Sequence, residues 1–141
     1  MTSKNTNTLL KIASTQLSRR FDAFAKDYDL TWVQMSIVDF LSHNKDRELF
    51  QRDIEEEFFI QRSTATIALQ RMEKKDLIYR KPSTQDARQK SVYLTDKAHT
   101  LEKKISDYMT HQQQILEKNF TTEELIIVEK FLKFQAFQEE E

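Results

Sequence analysis

The sequence contains no cysteine and no glycine, and Pro82 is its only proline. Without cysteine, disulfide frameworks, thiolate metal sites and cysteine-based redox sensing are excluded. Without glycine, the glycine-rich loops that bind phosphates in P-loop and dinucleotide-binding domains are excluded as well. The three histidines, His43, His99 and His111, are far apart in the chain and lack the spacing of metal ligands. We therefore expect neither a metal site nor a cofactor.

Long apolar runs are also missing. No run approaches the roughly 20 apolar residues that a membrane-spanning helix needs. The first residues, MTSKNTNTLLKIAS, lack the apolar core and small-residue cleavage site of a signal peptide. We therefore expect a cytoplasmic protein with no membrane partner. No arrangement of nucleophile, base and orienting group suggests catalysis, so we do not expect an enzyme.

The formal net charge of -1 hides an uneven distribution. Segment 61–90 contains eight basic and three acidic residues, whereas the rest of the chain contains 14 basic and 20 acidic residues. A compact basic zone in an otherwise acidic protein is typical of a nucleic-acid-binding face. A solvated helix face followed by a charged loop would give the same count, so charge alone leaves both interpretations open.

Apolar residues recur at helical intervals through most of the chain, which predicts a mainly α-helical protein. Thr31 and Gln34 match a capping box, and Thr95 matches the cap of a later helix. The pair Leu49-Phe50 is interpreted as a short strand fragment. The predicted helices cover residues 8–28, 31–44, 51–58, 62–75, 95–119 and 121 onward, and in the fourth helix Ile67, Leu69 and Met72 are the apolar positions. Because only three residues separate the third and fourth helices, these two must cross steeply, as in a helix-turn-helix.

After the fourth helix the pattern changes. Segments 77–81 and 91–94 are rich in β-forming residues, and the sequence between them, PSTQDARQK, is rich in turn formers and charge. This pattern predicts a hairpin whose tip projects into solvent, that is, a wing. The expected fold is mainly α with a small β wing (α+β), a winged helix-turn-helix over 30–95. The flanking helices, 8–28 and 96–138, carry more apolar surface than a small wing domain needs, which favours a dimer interface.

The fourth helix opens with guanidinium and short polar side chains. In a recognition helix such groups bind base edges or phosphates, since arginine suits guanine, glutamine suits adenine, and serine or threonine suit either. Ser63 and Thr64 are also common helix caps, so they have a purely structural explanation too. The candidate DNA-binding residues of this helix are Gln61, Arg62, Ser63, Thr64, Thr66, Gln70 and Arg71.

The wing supplies a second set of candidates. Asp86 lies two residues before Arg88, so its carboxylate can pair with the guanidinium and fix its direction. An ordered arginine at a hairpin tip suits a narrow, electronegative minor groove. The alternative is an ordinary surface ion pair, which contributes little to stability. The candidate wing residues are Arg80, Lys81, Asp86, Arg88 and Lys90.

Several short segments together match a known pattern in order and spacing. They are LTWVQ at 30–34, RST at 62–64, MEKKDLI at 72–78, DAR at 86–88 and YLT at 93–95. On these motifs the chain resembles the MarR family of bacterial transcriptional regulators over about residues 9–135. It departs from the family pattern at Asp29, Phe59 and Asp76, which replace common glycines, at Gln61, which replaces a common aspartate cap, and at Ile67, which replaces a basic or polar residue.

The resemblance implies one MarR-like domain over 1–141 that binds double-stranded DNA as a homodimer through its first and last two helices. It implies a sequence-specific regulator, most often a repressor, acting on a pseudo-palindromic operator. It also implies release by a small-molecule effector held between the dimerisation helices and the winged unit. The aromatic residues predicted to line that pocket, which an ordinary core would explain equally, are Phe21, Phe24, Tyr28, Trp32, Phe40 and Phe58. The alternative function is a protein-interaction module that uses the winged fold without DNA.

Overall fold

The computed structural model describes residues 4–138, which form six helices and one two-stranded sheet. The mainly α class with a small β wing is thereby confirmed. The chain divides into two compact units, Met1–Lys103 and Lys104–Glu141. The elements in chain order are α1 (Thr6–Lys26), α2 (Trp32–Ser42), α3 (Gln51–Phe58), α4 (Arg62–Lys74), β1 (Ile78–Pro82), β2 (Lys90–Leu94), α5 (Asp96–Asn119) and α6 (Thr122–Ala136).

Local capping residues set the helix boundaries. The Thr31 hydroxyl accepts a hydrogen bond from the backbone N–H of Gln34 at 3.2 Å, and the Gln34 side chain accepts from the Thr31 N–H at 3.1 Å. The predicted capping box at the start of α2 is thus confirmed. The Thr95 hydroxyl caps α5, as predicted, by accepting from the N–H of Ala98 at 3.2 Å. Helix α1 starts two residues earlier than predicted because the Asn5 side chain caps it.

Three residues adopt the left-handed backbone conformation that glycine favours. They are Asp29, Phe59 and Asp76, with φ of 58°, 50° and 60°, and they are the three positions at which the family pattern has glycine. Each lies just beyond the end of a helix, and the N–H of the next residue donates to a carbonyl five residues back, at 3.0 Å, 3.1 Å and 2.9 Å respectively. This bond closes a Schellman-type helix end. The fold therefore keeps these helix ends without glycine, at the steric cost of a Cβ atom in the left-handed region.

The core of the first unit lies between α2, α3, α4 and the sheet. Helix α4 buries one stripe, formed by Ala65, Leu69 and Met72, and leaves its opposite side exposed. The core residues of this unit outside α4 are Ala25, Leu30, Met35, Ile37, Val38, Leu41, Leu49, Ile54, Leu77, Ile78, Val92, Leu94 and Ala98.

Of the three apolar positions of α4, Leu69 and Met72 are buried, whereas Ile67 is 50% exposed. The expected strand fragment at Leu49-Phe50 was wrong, since residues 49–50 do not form a strand. The Leu49 carbonyl accepts one hydrogen bond from the N–H of Val92 at 2.7 Å, and the β2 ladder pairs only with β1.

The wing is a hairpin of β1 and β2. The strands pair antiparallel from Ile78 opposite Leu94 to Pro82 opposite Lys90, so residues 83–89 form the tip. On one face Ile78, Val92 and Leu94 are buried in the core. On the other face the rings of Tyr79 and Tyr93 stack with their centroids 5.4 Å apart.

Two further properties concern residues 4–138 as a whole. None of their helices is long and apolar enough to cross a membrane. Nor do these residues bring three or more histidine, aspartate or glutamate side chains together in a group suited to a metal ion.

Candidate nucleic-acid interface

Helices α3 and α4, joined by residues 59–61, form the helix-turn-helix. Since side chains three or four residues apart share a helix face, Ser63, Ile67 and Gln70 form one line along α4. All three are exposed and lie opposite the buried stripe. This line is the surface that a recognition helix would insert into a major groove, and an isoleucine stands in its middle.

One flank of α4 forms a groove with the wing, called here the wing groove. It has a volume of about 560 Å³. Its lining contains five cationic side chains and a single carboxylate, Glu55, so the lining carries a net positive charge. The lining residues are Phe50, Gln51, Arg52, Glu55, Arg62, Thr66, Arg80, Arg88, Gln89 and Lys90.

The cations of the wing groove differ in their partners. Arg62 and Arg52 are exposed, and neither has an ion-pair partner among residues 4–138. Arg80 is half-buried, with its Nε 2.9 Å from the Glu73 Oε1. The guanidinium of Arg80 is therefore partly neutralised, whereas the other two remain available to phosphates or bases. Sequence analysis missed Arg52, because a lone arginine within the acidic helix QRDIEEEF gives no local signal.

The other flank of α4 forms a second groove of about 750 Å³ with the start of α2. Thr64, Ile67 and Arg71 line it together with Trp32. The predicted recognition residues are therefore divided. Arg62 and Thr66 face the wing groove, Thr64 and Arg71 face the α2 side, and Ser63 and Gln70 lie on the outermost line. Gln61 is the N-cap residue of α4, and its side chain makes no capping hydrogen bond.

The Thr66 hydroxyl ties α4 to α3. It donates to the Arg62 carbonyl at 2.9 Å and accepts from the Gln51 Nε2 at 2.9 Å. Its proton is therefore already used within the protein, and a bond from DNA to this oxygen would have to compete with Gln51. The role of Thr66 in DNA binding stays a prediction.

At the wing tip, Asp86 and Arg88 form a two-point ion pair. Arg88 Nε and Nη2 lie 3.1 Å and 3.3 Å from the two carboxylate oxygens, and the Arg88 backbone N–H donates to Asp86 Oδ1 at 3.0 Å. Hydrogen bonds from the Arg88 side chain and backbone hold the pKa of the Asp86 carboxyl below its ordinary value. The Arg88 side chain is nevertheless 91% exposed, so it is oriented and still accessible.

At the start of the wing tip, a carboxylate that sequence analysis did not single out receives three hydrogen bonds. Glu48 Oε2 accepts from the Ser83 hydroxyl at 2.7 Å, and Oε1 accepts from the Thr84 N–H at 2.9 Å and its hydroxyl at 3.1 Å. The bond from the Thr84 N–H and those from the Ser83 and Thr84 hydroxyls hold the pKa of Glu48 below its ordinary value. The partners are 35 and 36 residues away in the chain, so no local pattern could have indicated them.

The remaining wing lysines lie on different sides. Lys90 lines the wing groove. Lys81 lies with its Nζ 4.5 Å from the centroid of the Tyr93 ring, in a cation–π contact. Because Tyr93 and Lys81 belong to the face of the hairpin opposite Ile78 and Val92, Lys81 does not share the position of Arg80.

The aromatic residues predicted to line an effector pocket pack largely against each other. Phe24 and Tyr28 have ring centroids 5.3 Å apart, and Phe40 and Phe58 meet edge to face at 5.9 Å. These two pairs and Phe21 are half-buried, whereas Trp32 lies in the groove between α2 and α4. An effector pocket lined by these residues stays a prediction.

Comparison with known proteins gives consistent matches. The model of the MarR family matches residues 28–89. The crystal structure of the transcription regulator MarR from Oenococcus oeni PSU-1 is 53% identical, covers 93% of this chain and 98% of its own, and has a TM-score of 0.87. The structure of a complex of Staphylococcus aureus MepR with DNA has a TM-score of 0.84 at 23% identity and covers 93% and 94% of the two chains.

A curated relative is more distant. The regulator SarZ of S. aureus (strain MRSA252) is 24% identical over 99 residues, which span 70% of this chain. The match covers 66% of the length of SarZ, just under two thirds.

Proposed function

Since the chain belongs to the MarR family of transcriptional regulators, we propose that it is a sequence-specific regulator that binds double-stranded DNA as a homodimer, most simply as a repressor. The observation that carries this proposal is the wing groove. Between α4 and the wing tip it gathers Arg52, Arg62, Arg80, Arg88 and Lys90 around a single carboxylate. A protein with net charge -1 that concentrates its cations in this way is suited to a polyanion.

The elements bind different parts of the duplex. Helix α4 enters the major groove along the line of Ser63, Ile67 and Gln70, and Arg62 reaches a guanine or a phosphate at its edge. The wing tip places Arg88 at the adjacent minor groove. The fold likeness to a protein whose structure was solved with DNA supports this arrangement.

The apolar surface of the terminal helices supports the homodimer. In the second unit, Ile126, Ile127 and Phe134 of α6 are more than half exposed. A largely apolar groove of about 690 Å³ runs between the end of α5 and α6. In the first unit, α1 exposes Leu9 and Ile12. A second copy of the chain would cover such surfaces and place two recognition helices about 34–36 Å apart, one turn of B-DNA.

The remaining parts of the proposal follow from this function. A regulator of bacterial transcription works in the cytoplasm, which is the location that we expect, and it needs no catalysis. Control by a small-molecule effector is expected for the family and is supported here only by the half-buried aromatic residues of α1 and α2. The competing proposal is a protein-interaction module. Ile67 would suit it, because an exposed apolar side chain on α4 can pack against a protein partner.

The two proposals separate in a DNA-binding experiment. The purified chain is used to select duplexes from a random library, and binding is measured by gel shift at two salt concentrations. The regulator predicts an inverted repeat with half-sites about one helical turn apart and affinity that falls steeply with salt. Lys118→Ala, which removes an exposed cation outside the basic segment, is the control and should leave the affinity unchanged. Failure to retain any duplex at low salt would favour the protein-interaction module.

A further inference from the structure

We propose that Glu48 is a positioning residue for DNA binding, which anchors the start of the wing tip and thereby holds Arg88 ready for the duplex. The inference rests on the proposed role of the wing and adds a part of the protein that never reaches the DNA itself. Its basis is a continuous chain of hydrogen bonds that starts in the loop between α2 and α3 and ends at the wing tip.

The chain of bonds begins on a fixed piece of backbone. Leu49, the neighbour of Glu48, is buried, and its carbonyl accepts the N–H of Val92 in β2 at 2.7 Å. The Glu48 carboxylate extends from this point and accepts three hydrogen bonds from the first two residues of the wing tip, Ser83 and Thr84. Bonds to an ionised acceptor are stronger than bonds between neutral groups, so this contact fixes the entry of the tip firmly.

Ser83 passes the constraint along the tip. It is buried, and its hydroxyl donates to Glu48 while accepting the backbone N–H groups of Gln85 at 3.1 Å and Asp86 at 3.4 Å. The Ser83 N–H donates to the Gln89 carbonyl at 2.8 Å, and the Gln89 N–H donates to the Asp86 carbonyl at 3.0 Å. Both ends of the tip are thus tied to Asp86.

Asp86 ends this series of hydrogen bonds and holds Arg88. It does so through the two-point ion pair and through the bond that it accepts from the Arg88 backbone N–H. A surface pair of this kind contributes little when both partners move freely. Here the backbone of the carboxylate is itself held through Ser83, so the guanidinium keeps its direction before DNA arrives. Without the anchor, the tip would be mobile in the free protein and would have to become ordered when DNA binds. The conformational entropy lost in that step would lower the affinity.

The test uses a change whose electrostatic effect has the opposite sign. Glu48→Gln keeps the shape of the side chain and removes a negative charge, which alone would strengthen binding to a polyanion. The amide keeps one acceptor oxygen and presents hydrogens at the other position, so it can accept from Thr84 or from Ser83 but not from both, and the anchor is weakened. We expect about three- to tenfold weaker binding of the selected operator, since hydrogen bonds to charged groups are strong and only part of their effect reaches Arg88.

Matched variants identify the cause. Asp46→Asn removes the same charge from an exposed residue of the same loop and should bind as tightly as the parent chain or slightly more tightly. Ser83→Ala breaks the chain of bonds one step further on and should weaken binding like Glu48→Gln. Thr84→Val is the alternative if either variant fails to give the parent circular dichroism spectrum and a cooperative melt.

Two readouts separate positioning from a general structural effect. In the free protein, the amide hydrogens of Thr84, Asp86 and Arg88 should exchange faster in Glu48→Gln than in Asp46→Asn, while those of α4 stay protected. In an Arg88→Ala background, Glu48→Gln should cause no further loss of affinity, because the group that it positions is gone.

The outcomes are distinct. If Arg88→Ala weakens binding but Glu48→Gln behaves like Asp46→Asn, the wing role stands and the positioning role of Glu48 is overturned. If the losses from Glu48→Gln and Arg88→Ala simply add, Glu48 acts by another route, and the inference again fails. If Arg88→Ala leaves the affinity unchanged, the proposed wing role itself is wrong, and the inference falls with it.

Discussion

Ile67 is an apolar side chain on a surface proposed to enter the major groove. It is 50% exposed and stands between Ser63 and Gln70 on the outermost line of α4. The apolar group that a base pair displays in the major groove is the 5-methyl of thymine. We therefore predict that Ile67 contacts a thymine methyl in each half-site, and that Ile67→Ala loses this contact.

The exposed fraction sets the size of the effect. Burying a whole isoleucine side chain contributes about 1.5–3 kcal/mol. Since half of Ile67 is already buried, contact with DNA can add at most about half of that, or about 0.7–1.5 kcal/mol per half-site. This corresponds to a change in Kd of about three- to tenfold for one half-site. For both half-sites of a dimer the energies add, so the expected change is about ten- to a hundredfold.

The assay replaces thymine by deoxyuridine in the selected operator, one symmetric pair of positions at a time. Deoxyuridine lacks only the methyl group and keeps base pairing. At one pair of positions, the parent chain should bind the uridine operator more weakly, whereas Ile67→Ala should bind both operators equally. Gln70→Ala, a neighbouring change that leaves Ile67 in place, should retain the uridine penalty. If no position gives a penalty that depends on Ile67, the isoleucine does not read a methyl group.

Four further predictions test other parts of the molecule. Arg62→Ala should weaken binding to the selected operator by about tenfold or more, and to random duplex much less, if Arg62 pairs with guanine; equal losses in gel shifts would assign it to a phosphate. Arg88→Ala should make the slope of log K against log salt less steep by about 1.8 per dimer, since each minor-groove cation that neutralises phosphate charge adds about 0.9; an unchanged slope would exclude the minor-groove role of Arg88. Ile127→Glu places a charge on a side chain that is 67% exposed in this chain and should convert a dimer to a monomer in light scattering; a persistent dimer would locate the interface elsewhere. Burial raises the pKa of Asp39 above 3.8 and outweighs the opposing charge of His43, so its contribution to stability is full below pH 3.8 and is lost as the pH rises through the raised pKa. Asp39→Asn should therefore raise the Tm at pH 7 and have less effect near pH 3, and an equal change at both values would contradict this cause.

The features that sequence analysis predicted correctly depend on neighbours in the chain. Thr31 and Gln34 form a capping box within four residues, and Thr95 caps α5 through the N–H of Ala98, three residues later. The exposure of Ile67 also follows from local spacing, since at about 100° per residue it lies about 200° around α4 from the buried Leu69.

The features that sequence analysis missed depend on contacts between distant segments. Glu48 is one of two acidic residues in a polar loop, and its role depends on Ser83 and Thr84, 35 and 36 residues later. Arg52 belongs to an acidic helix and becomes part of a cationic groove only because α3, α4 and the wing converge. Such residues can be found only after the pairing of β1 with β2 has placed the wing beside α4.

Asp86 in the wing and Glu48 bonded to its tip are carboxylates, although the proposed partner is a polyanion, and the geometry accounts for both. Of the five N–H donors of Arg88, the Asp86 pair uses Nε–H and one hydrogen of Nη2, so three donors remain for DNA. Arg88 can therefore bind a minor groove without leaving Asp86, and the carboxylate charge stays compensated. The Glu48 carboxylate is engaged by three hydrogen bonds from Ser83 and Thr84, and salt screens its repulsion of phosphate as their separation grows. Both acids thus order the arginine at a small electrostatic cost, which is why removing either charge should weaken binding rather than strengthen it.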